Sequence, residues 1–480
     1  MSGDFTRDSF DPYQHYTRVL MQQGRVQLDA DWNEQVAITH HHLRTLATDL
    51  IGPFGGPVDD CGFAVVTDPA AVETMTGRYG LPLDPQRVNE LKQRLGNGDF
   101  VIGTGRYYVD GLLCENEVPV TFGEQLGYPF DDETTLDALP GAGPFLIYLD
   151  VWERQVTGMQ AADIVEVALG GPDTAIRTQL VWQVKVLTDV SPVSCASYGA
   201  LQRPRRPFLR ARAKQPQEQQ DACVIDPAAR YRGAENQLYR VEIHRGGTAR
   251  RPDDTAGGAT FKWSRENGSV AFPVTSLAED AQAGETTVGL ATLGRDRRLG
   301  LAQESWVEIV DDGYVLRGRV EPLHQVERID RDELEVVLSG VGPAKTGQDL
   351  AQHPLLHRWD HDASDASTSD EGVLLVTEAD TAEAGWIELE DGVMVQFPGS
   401  TDPAQPTEYR TGDYWLIPAR TATGDVIWPR RQVGQQLEWE ARPPHGVEHH
   451  YAPLAIASMD QNGVLTVQSP DCRKRFNPLP

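Results

Sequence analysis

Long hydrophobic runs are missing from this sequence. No stretch approaches the roughly 18 consecutive apolar residues that span a bilayer, and the opening MSGDFTRDSF lacks the basic-then-apolar pattern of a secretory leader. The expectation is a chain made and kept in the cytosol, without membrane insertion, until any assembly carries it out. Basic residues are also scarce. With 43 Lys and Arg against 71 Asp and Glu the formal net charge is −28, and a chain so acidic repels the phosphates of DNA and RNA. Cysteines number five, Cys61, Cys114, Cys195, Cys223 and Cys472. They are far apart and free of any CxxC spacing, which excludes a zinc knuckle and a dense disulfide framework. All five are expected to be reduced thiols. HExxH and GxSxG motifs are absent as well, so no catalytic residue, no metal and no cofactor is expected.

What is present describes a folded protein. A chain of 480 residues exceeds one ordinary core. Its 40% hydrophobic content, ten Trp and 24% charged residues are the balance of globular domains. The clearest helix lies in DADWNEQVAITHHHLRTLATDLIGP, where Asp31 and Glu34 fit a capping box and Gly52-Pro53 a stop. Val36, Leu43 and Leu50 recur every seven residues, with Trp32, Thr39 and Leu46 four ahead of each, forming an a/d-like seam. That seam must bury against something, either the chain's own β domains or a sister subunit or partner. A shorter amphipathic helix is written in DPQRVNELKQRLGNG, with Asp84 as cap, Pro85 at the first position, Val88, Leu91 and Leu95 on one face, and Gly96 at the end.

Beyond this point strand signals take over. Asx-Gly dipeptides between apolar alternations predict hairpins at Asp110-Gly111, Asn267-Gly268, Asp312-Gly313, Asp391-Gly392 and Asn462-Gly463. FLIYLDVWER and QLVWQVKVL read as further strands. The fold class expected is mainly β, several small β domains in series with an N-terminal amphipathic helix. Linker-like stretches divide the chain into a helical docking segment 1–60, an α+β domain 61–130, and β domains 131–250, 251–345 and 346–480.

Few residue groups point to chemistry. His353, His357 and His361 would share a face if their stretch were helical, and two of them would then suit a metal, but Leu355, Leu356 and Trp359 favour a packing role. The pair His449-His450 and the run His40 to His42 are likewise expected to serve structure. Asp360, Asp362, Ser364 and Glu371 occupy positions 1, 3, 5 and 12 of a calcium-loop template, which then breaks because Asp365 stands where Gly is needed. GVGPAKT at 340–346 fails as a phosphate loop, since Ala344 replaces a Gly and Pro343 removes an amide donor. The basic cluster Arg203, Arg205, Arg206, Arg210, Arg212 and Lys214 stands out against the acidic background, either as a docking strip for an acidic protein surface or as a solvated loop. The aromatic segments DYWLIPAR and DVWER are expected chiefly in cores.

Longer segments carry a resemblance. GDFTRDSFDPYQHYTRVLMQQGRVQLDADWNEQ, GRYYVDGLLCENE, YLDVWERQVT, ENQLYRVEIHRGG, ATFKWSRENGSV, YRTGDYWLIPARTATGDVIWP and HHYAPLA together resemble a bacterial family of uncharacterised domains encoded beside phage-tail-like contractile injection systems. The opening, with YTRVL, Gly24-Arg25 and Asn33-Glu34-Gln35, is similar to the start of certain phage tail fibre and baseplate proteins. The resemblance implies a structural component near the baseplate, a shell or cage around the spike or a fibre-like attachment, and attaches no catalytic residue. It further implies partners among baseplate, spike or sheath proteins, and oligomerisation. Two alternatives stand beside it: a fibre protein that binds a glycan or protein receptor, and a hydrolase or delivered effector.

Overall fold

The computed structural model describes residues 3–125, 139–170, 173–202, 205–215, 230–249, 258–296, 298–342, 345–361, 372–400, 402, 405–434, 436–461, 463–468 and 471–477. The chain is predominantly β with an N-terminal helix. It forms two compact units, each assembled from three separate stretches. The helix unit comprises residues 8–154, 178–202 and 448–480, and the barrel unit residues 1–7, 155–177 and 203–447.

In the helix unit, the long strand Gly143–Val156 pairs on one side with Arg177–Leu187 and on the other with His450–Met459, which in turn pairs with Leu465–Gln468. A second sheet orders Arg475–Phe476, Phe54–Pro57, Gly105–Val109 and Leu112–Asn116. Both expected strands therefore form, and alternation along Leu112–Asn116 buries Leu112, Cys114 and Asn116 while Leu113 and Glu115 face out. Phe54, Phe63, Tyr107, Phe145, Ile147, Leu149, Val184 and Leu454 meet in one core. The second expected helix is Pro85–Gly96, with the Asp84 carboxylate accepting from the Gln86 amide and Leu91 fully buried.

The barrel unit contains a closed six-stranded barrel, Ala271–Asp280, Glu285–Leu290, Glu335–Ser339, His324–Asp330, Trp306–Val310 and Leu355–Trp359. Closure removes the free edges that an open sheet of this size would leave. Beside it stand a five-stranded sheet centred on Gln237–Ile243 and a four-stranded sheet centred on Val393–Pro398. These two share a core around Tyr239, Phe261, Phe397, Tyr409 and Trp415. Trp415 and Trp152 are buried, as the aromatic segments predicted.

Several local expectations need correction. The N-terminal helix starts at Asp29 with Leu28 as its cap and no side-chain cap bond, so the Asp31/Glu34 capping box does not form. Glu34 instead accepts from the Ser9 hydroxyl at 2.6 Å. Asp110-Gly111 and Asp391-Gly392 do turn hairpins, both residues at positive φ. Asn267-Gly268 also turns, but its flanking strands join different sheets, Thr260–Ser264 pairing with Gln237–Ile243 and Ala271–Asp280 with the barrel. Asp312-Gly313 opens a helix, Asp312–Arg317, because the Asp311 carboxylate caps the Tyr314 amide at 2.6 Å. Asn462 lies outside the described residues, although the strands flanking it pair.

The largest correction concerns the cysteines. Cys195 and Cys472, separated by 277 residues, form a disulfide with Cα atoms 5.4 Å apart. Cys195 opens a 3-10 turn pinned by a Ser194/Ser197 capping box. The Cys472 amide donates to the Leu454 carbonyl, fixing the C-terminal segment beside that turn. Cys61 and Cys114 are free thiols, and Cys223 lies outside the described residues.

Candidate functional site

The N-terminal helix, Asp29–Ile51, is held on one side and open on the other. Ala30 and Ile38 are buried. Gln35 accepts the Val19 amide at 2.8 Å, laying the preceding segment along the helix. Phe10 packs its ring 5.6 Å from that of His41. Farther along, Arg44 Nη2 lies 3.3 Å from His450 Nε2, and His450 Nδ1 lies 2.9 Å from the Asp110 carboxylate. The turn at Gly111 comes so close that a Cβ there would stand 2.5 Å from the Arg44 carbonyl oxygen. Its φ of +78° also favours glycine.

The seam does not take part in this anchoring. Trp32 is 73% exposed, Val36 41%, Leu43 58%, Leu46 56% and Leu50 59%. Thr39, the remaining seam position, is exposed too. Among the described residues of the helix unit, none covers this face. Roughly half of each of these five apolar side chains remains to be covered. At about 1.5 to 3 kcal/mol per fully buried side chain, covering them is worth roughly 4 to 9 kcal/mol. Leu20, Met21, Val26 and Leu28, just before the helix, are exposed as well and extend the apolar surface.

The basic cluster is split by the fold. Arg205 donates to the Ser400 hydroxyl at 2.7 Å, Arg206 is exposed, and Arg203 lies outside the described residues. Arg210 and Arg212 enter the strand Arg210–Ala213, and Lys214 pairs with Glu388 at 2.8 Å. No single strip survives among the described members.

Four of the candidate histidines have polar partners within the chain. Only His357 lies in the strand Leu355–Trp359, while His353 caps a 3-10 turn in the left-handed region and His361 follows the strand, so no helix stacks the three. His361 Nε2 meets the Gly372 carbonyl and His353 pairs with Asp312. His449 Nδ1 stands 2.7 Å from buried Asp150, which also accepts from Lys185 at 2.7 Å. Burial alone would raise the Asp150 pKa, but these two partners hold it below the ordinary carboxylate range. Among the described residues no group of three or more metal-ligating side chains converges. Asp362, Ser364, Asp365 and Glu371 of the calcium-loop template, with Pro343 and Ala344, lie outside the described residues.

Sequence reading missed a buried ionic cluster in the barrel unit. Glu308, from the barrel, accepts from Lys262 Nζ at 2.5 Å, from Trp359 Nε1 at 2.9 Å and from the Tyr314 hydroxyl at 2.6 Å. Lys262, from the five-stranded sheet, also sits 4.4 Å above the Trp359 ring and 3.6 Å from Glu242. Burial pushes Glu308 up, but Lys262, His244 and the Tyr314 hydroxyl together outweigh it and the carboxyl is held at about 2. His244, 3.7 Å from Glu308, has no hydrogen-bond partner on either ring nitrogen among the described residues. Burial, reinforced by Lys262, pushes it down to about 4. No spacing rule joins residues 242, 262, 308 and 359, because strand pairing alone brings them together.

Fold and surface together define a multi-domain β protein whose N-terminal helix presents an uncovered apolar face. The chain belongs to a family of unknown function, DUF6519, whose sequence profile matches residues 1–204 and 200–479. No curated protein matches the chain, and no solved structure does.

Proposed function

We propose that this protein is a non-enzymatic structural component of a phage-tail-like contractile injection system, placed near the baseplate as a shell or cage around the spike or as a fibre-like attachment. The observation that carries the docking part of this reading is the solvent-facing seam of the N-terminal helix. A heptad face so largely apolar and left uncovered by the described residues fits a surface awaiting a neighbour. The particle itself rests on the resemblance of the long sequence segments. Partners of this description are other baseplate, spike or sheath proteins, with a sister copy of the chain as the competing occupant. The Cys195–Cys472 disulfide supports a working life after release from the reducing cytosol.

The test is Leu43→Asp together with Leu50→Asp. Both positions are exposed, so the variant chain is expected to fold and to remain soluble while failing to enter purified particles. A double variant that assembles normally sinks the docking reading, and particles from a deletion strain with unchanged density around spike and baseplate sink the placement. Self-association of the wild-type chain that the double variant abolishes would identify the occupant as a sister copy.

A further inference from the structure

The barrel unit carries an open recess of about 370 Å³, lined by Arg210, Arg212, Glu383, Trp386, Glu438 and Trp439 among others. Arg210 and Arg212 stand two residues apart on one strand and so face the same way. Arg210 Nη1 donates to Gln396 Oε1 at 2.9 Å. Gln396 is fully buried and donates in turn to the Thr381 carbonyl at 2.8 Å and to that of Ala384, which ties the turn carrying Glu383 to the same strand pair. Arg212 sits over the Trp386 indole, its Cζ 3.9 Å from the ring centroid, and Trp386 Nε1 donates to the Ala382 carbonyl at 2.9 Å. Across the recess, Trp439 is covered by Arg430 at 3.7 Å. The Nε groups of Arg210 and Arg212 are buried and have no hydrogen-bond partner among the described residues.

We propose that this recess binds a carboxylated sugar residue. Two guanidinium groups with donors to spare, held in place by Gln396 and Trp386, call for an anionic acceptor, and a planar carboxylate is the group Arg matches best. Burial works against the charge on both guanidiniums; Glu438 and Glu383 offset part of this at Arg210, and a bound anion offsets more of it at both. Glu383 and Glu438 share the same recess. They repel a ligand made only of negative charge, which disfavours a phosphate or an acidic peptide, but they accept hydrogen bonds from hydroxyl groups. Trp386 and Trp439 line the recess as well, and the parts of their indoles that Arg212 and Arg430 do not cover offer apolar surface to C–H-rich sugar rings. Carboxylate, hydroxyls and an apolar ring face occur together in a uronic-acid type of sugar, and the volume falls within the range of small-ligand sites. This site is independent of the helix face, so it stands or falls separately from the assembly role.

The test is a tryptophan-fluorescence titration of the full chain with acidic oligosaccharides containing galacturonate, glucuronate or sialate. The controls are the same oligosaccharides methyl-esterified at the carboxylate, and a polyglutamate peptide. Saturable binding of at least one acidic oligosaccharide is expected, weakened roughly tenfold or more by esterification, the size of a lost charge-assisted contact. Arg212→Gln should weaken it to a similar degree and Arg212→Lys less. Near-UV circular dichroism establishes that the variants are folded, and Arg212→Lys alone suffices for the comparison if Arg212→Gln is not. Binding indifferent to esterification, binding unchanged in a folded Arg212 variant, binding of the peptide alone, or no saturable binding of any acidic oligosaccharide overturns the proposal.

Discussion

Replacing Lys262 by Met leaves Glu308 buried without its cation, and the size of the effect follows from the geometry. Lys262 and Glu308 are 4% and 3% exposed at the side chain, so water does not compensate for the missing charge. Breaking one side of such a pair costs about 3 to 5 kcal/mol, since the remaining carboxylate keeps its desolvation penalty. The lost contact of Lys262 with the Trp359 face adds to this, at up to about 2 kcal/mol. Neutralising the orphan as well should recover much of the loss. In Lys262→Met/Glu308→Gln the amide keeps an acceptor for Trp359 or Tyr314, so the double variant should be at least about 2 kcal/mol more stable than Lys262→Met alone. Urea unfolding followed by tryptophan fluorescence measures all the corners of the cycle. The pH dependence supplies a second readout. A folded-state pKa depressed to about 2 contributes stability that is present above the ordinary value of 4.5 and lost as pH falls through about 2. Without Lys262 the acid loss should begin at higher pH. A Lys262→Met cost below about 1 kcal/mol, or a double variant whose losses simply add, would show that the pair does not work as a buried unit.

Other perturbations test other parts of the fold. His244 is depressed from 6.5 to about 4, so the unfolded chain takes up a proton before the folded one does. Stability should be complete above pH 6.5 and fall by about 3 kcal/mol as pH drops through 4. His244→Leu should flatten that slope in denaturant titrations, and an unaltered slope refutes the assignment. Cys472→Ser opens a crosslink spanning 277 residues, worth about 5 kcal/mol on chain-entropy grounds. Its melting temperature should drop, and in the wild type Cys195 and Cys472 should resist alkylation under denaturing, non-reducing conditions; alkylation of both would disprove the bond. Gly111→Ala should destabilise the helix unit by at least about 1 to 3 kcal/mol and raise hydrogen exchange along Asp29–Ile51, since both the positive φ and the Arg44 backbone oppose a Cβ. Wild-type exchange rates in that variant would count against the close approach.

Periodicity and punctuation made part of the fold legible in advance. Asp84 and Pro85 fix the start of the second helix because a capping carboxylate and a preset φ act within one turn of chain. Asp110-Gly111 and Asp391-Gly392 fix their turns because positive φ is a local demand. The same dipeptide misleads at Asp312-Gly313, where the competing local signal, Asp311 as a cap, wins and a helix follows. At Asn267-Gly268 the turn itself was legible but the destination of the next strand was not. That destination depends on which sheet has an unpaired edge, a property of the assembled barrel.

The seam of the N-terminal helix divides the two kinds of knowledge most clearly. Seven-residue spacing alone determined that Trp32, Val36, Leu43, Leu46 and Leu50 share one face and that the face is apolar. Only the tertiary structure decided that Ala30 and Ile38 are buried, that Arg44 meets His450, and that the described residues leave that face exposed. Acidic composition, β class and the second helix are likewise local or summed properties, readable without coordinates. The Cys195–Cys472 bond, the Lys262–Glu308 pair and the Arg210/Arg212 recess join residues from tens to hundreds of positions apart. Strand pairing sets such distances, and no spacing along the chain encodes them.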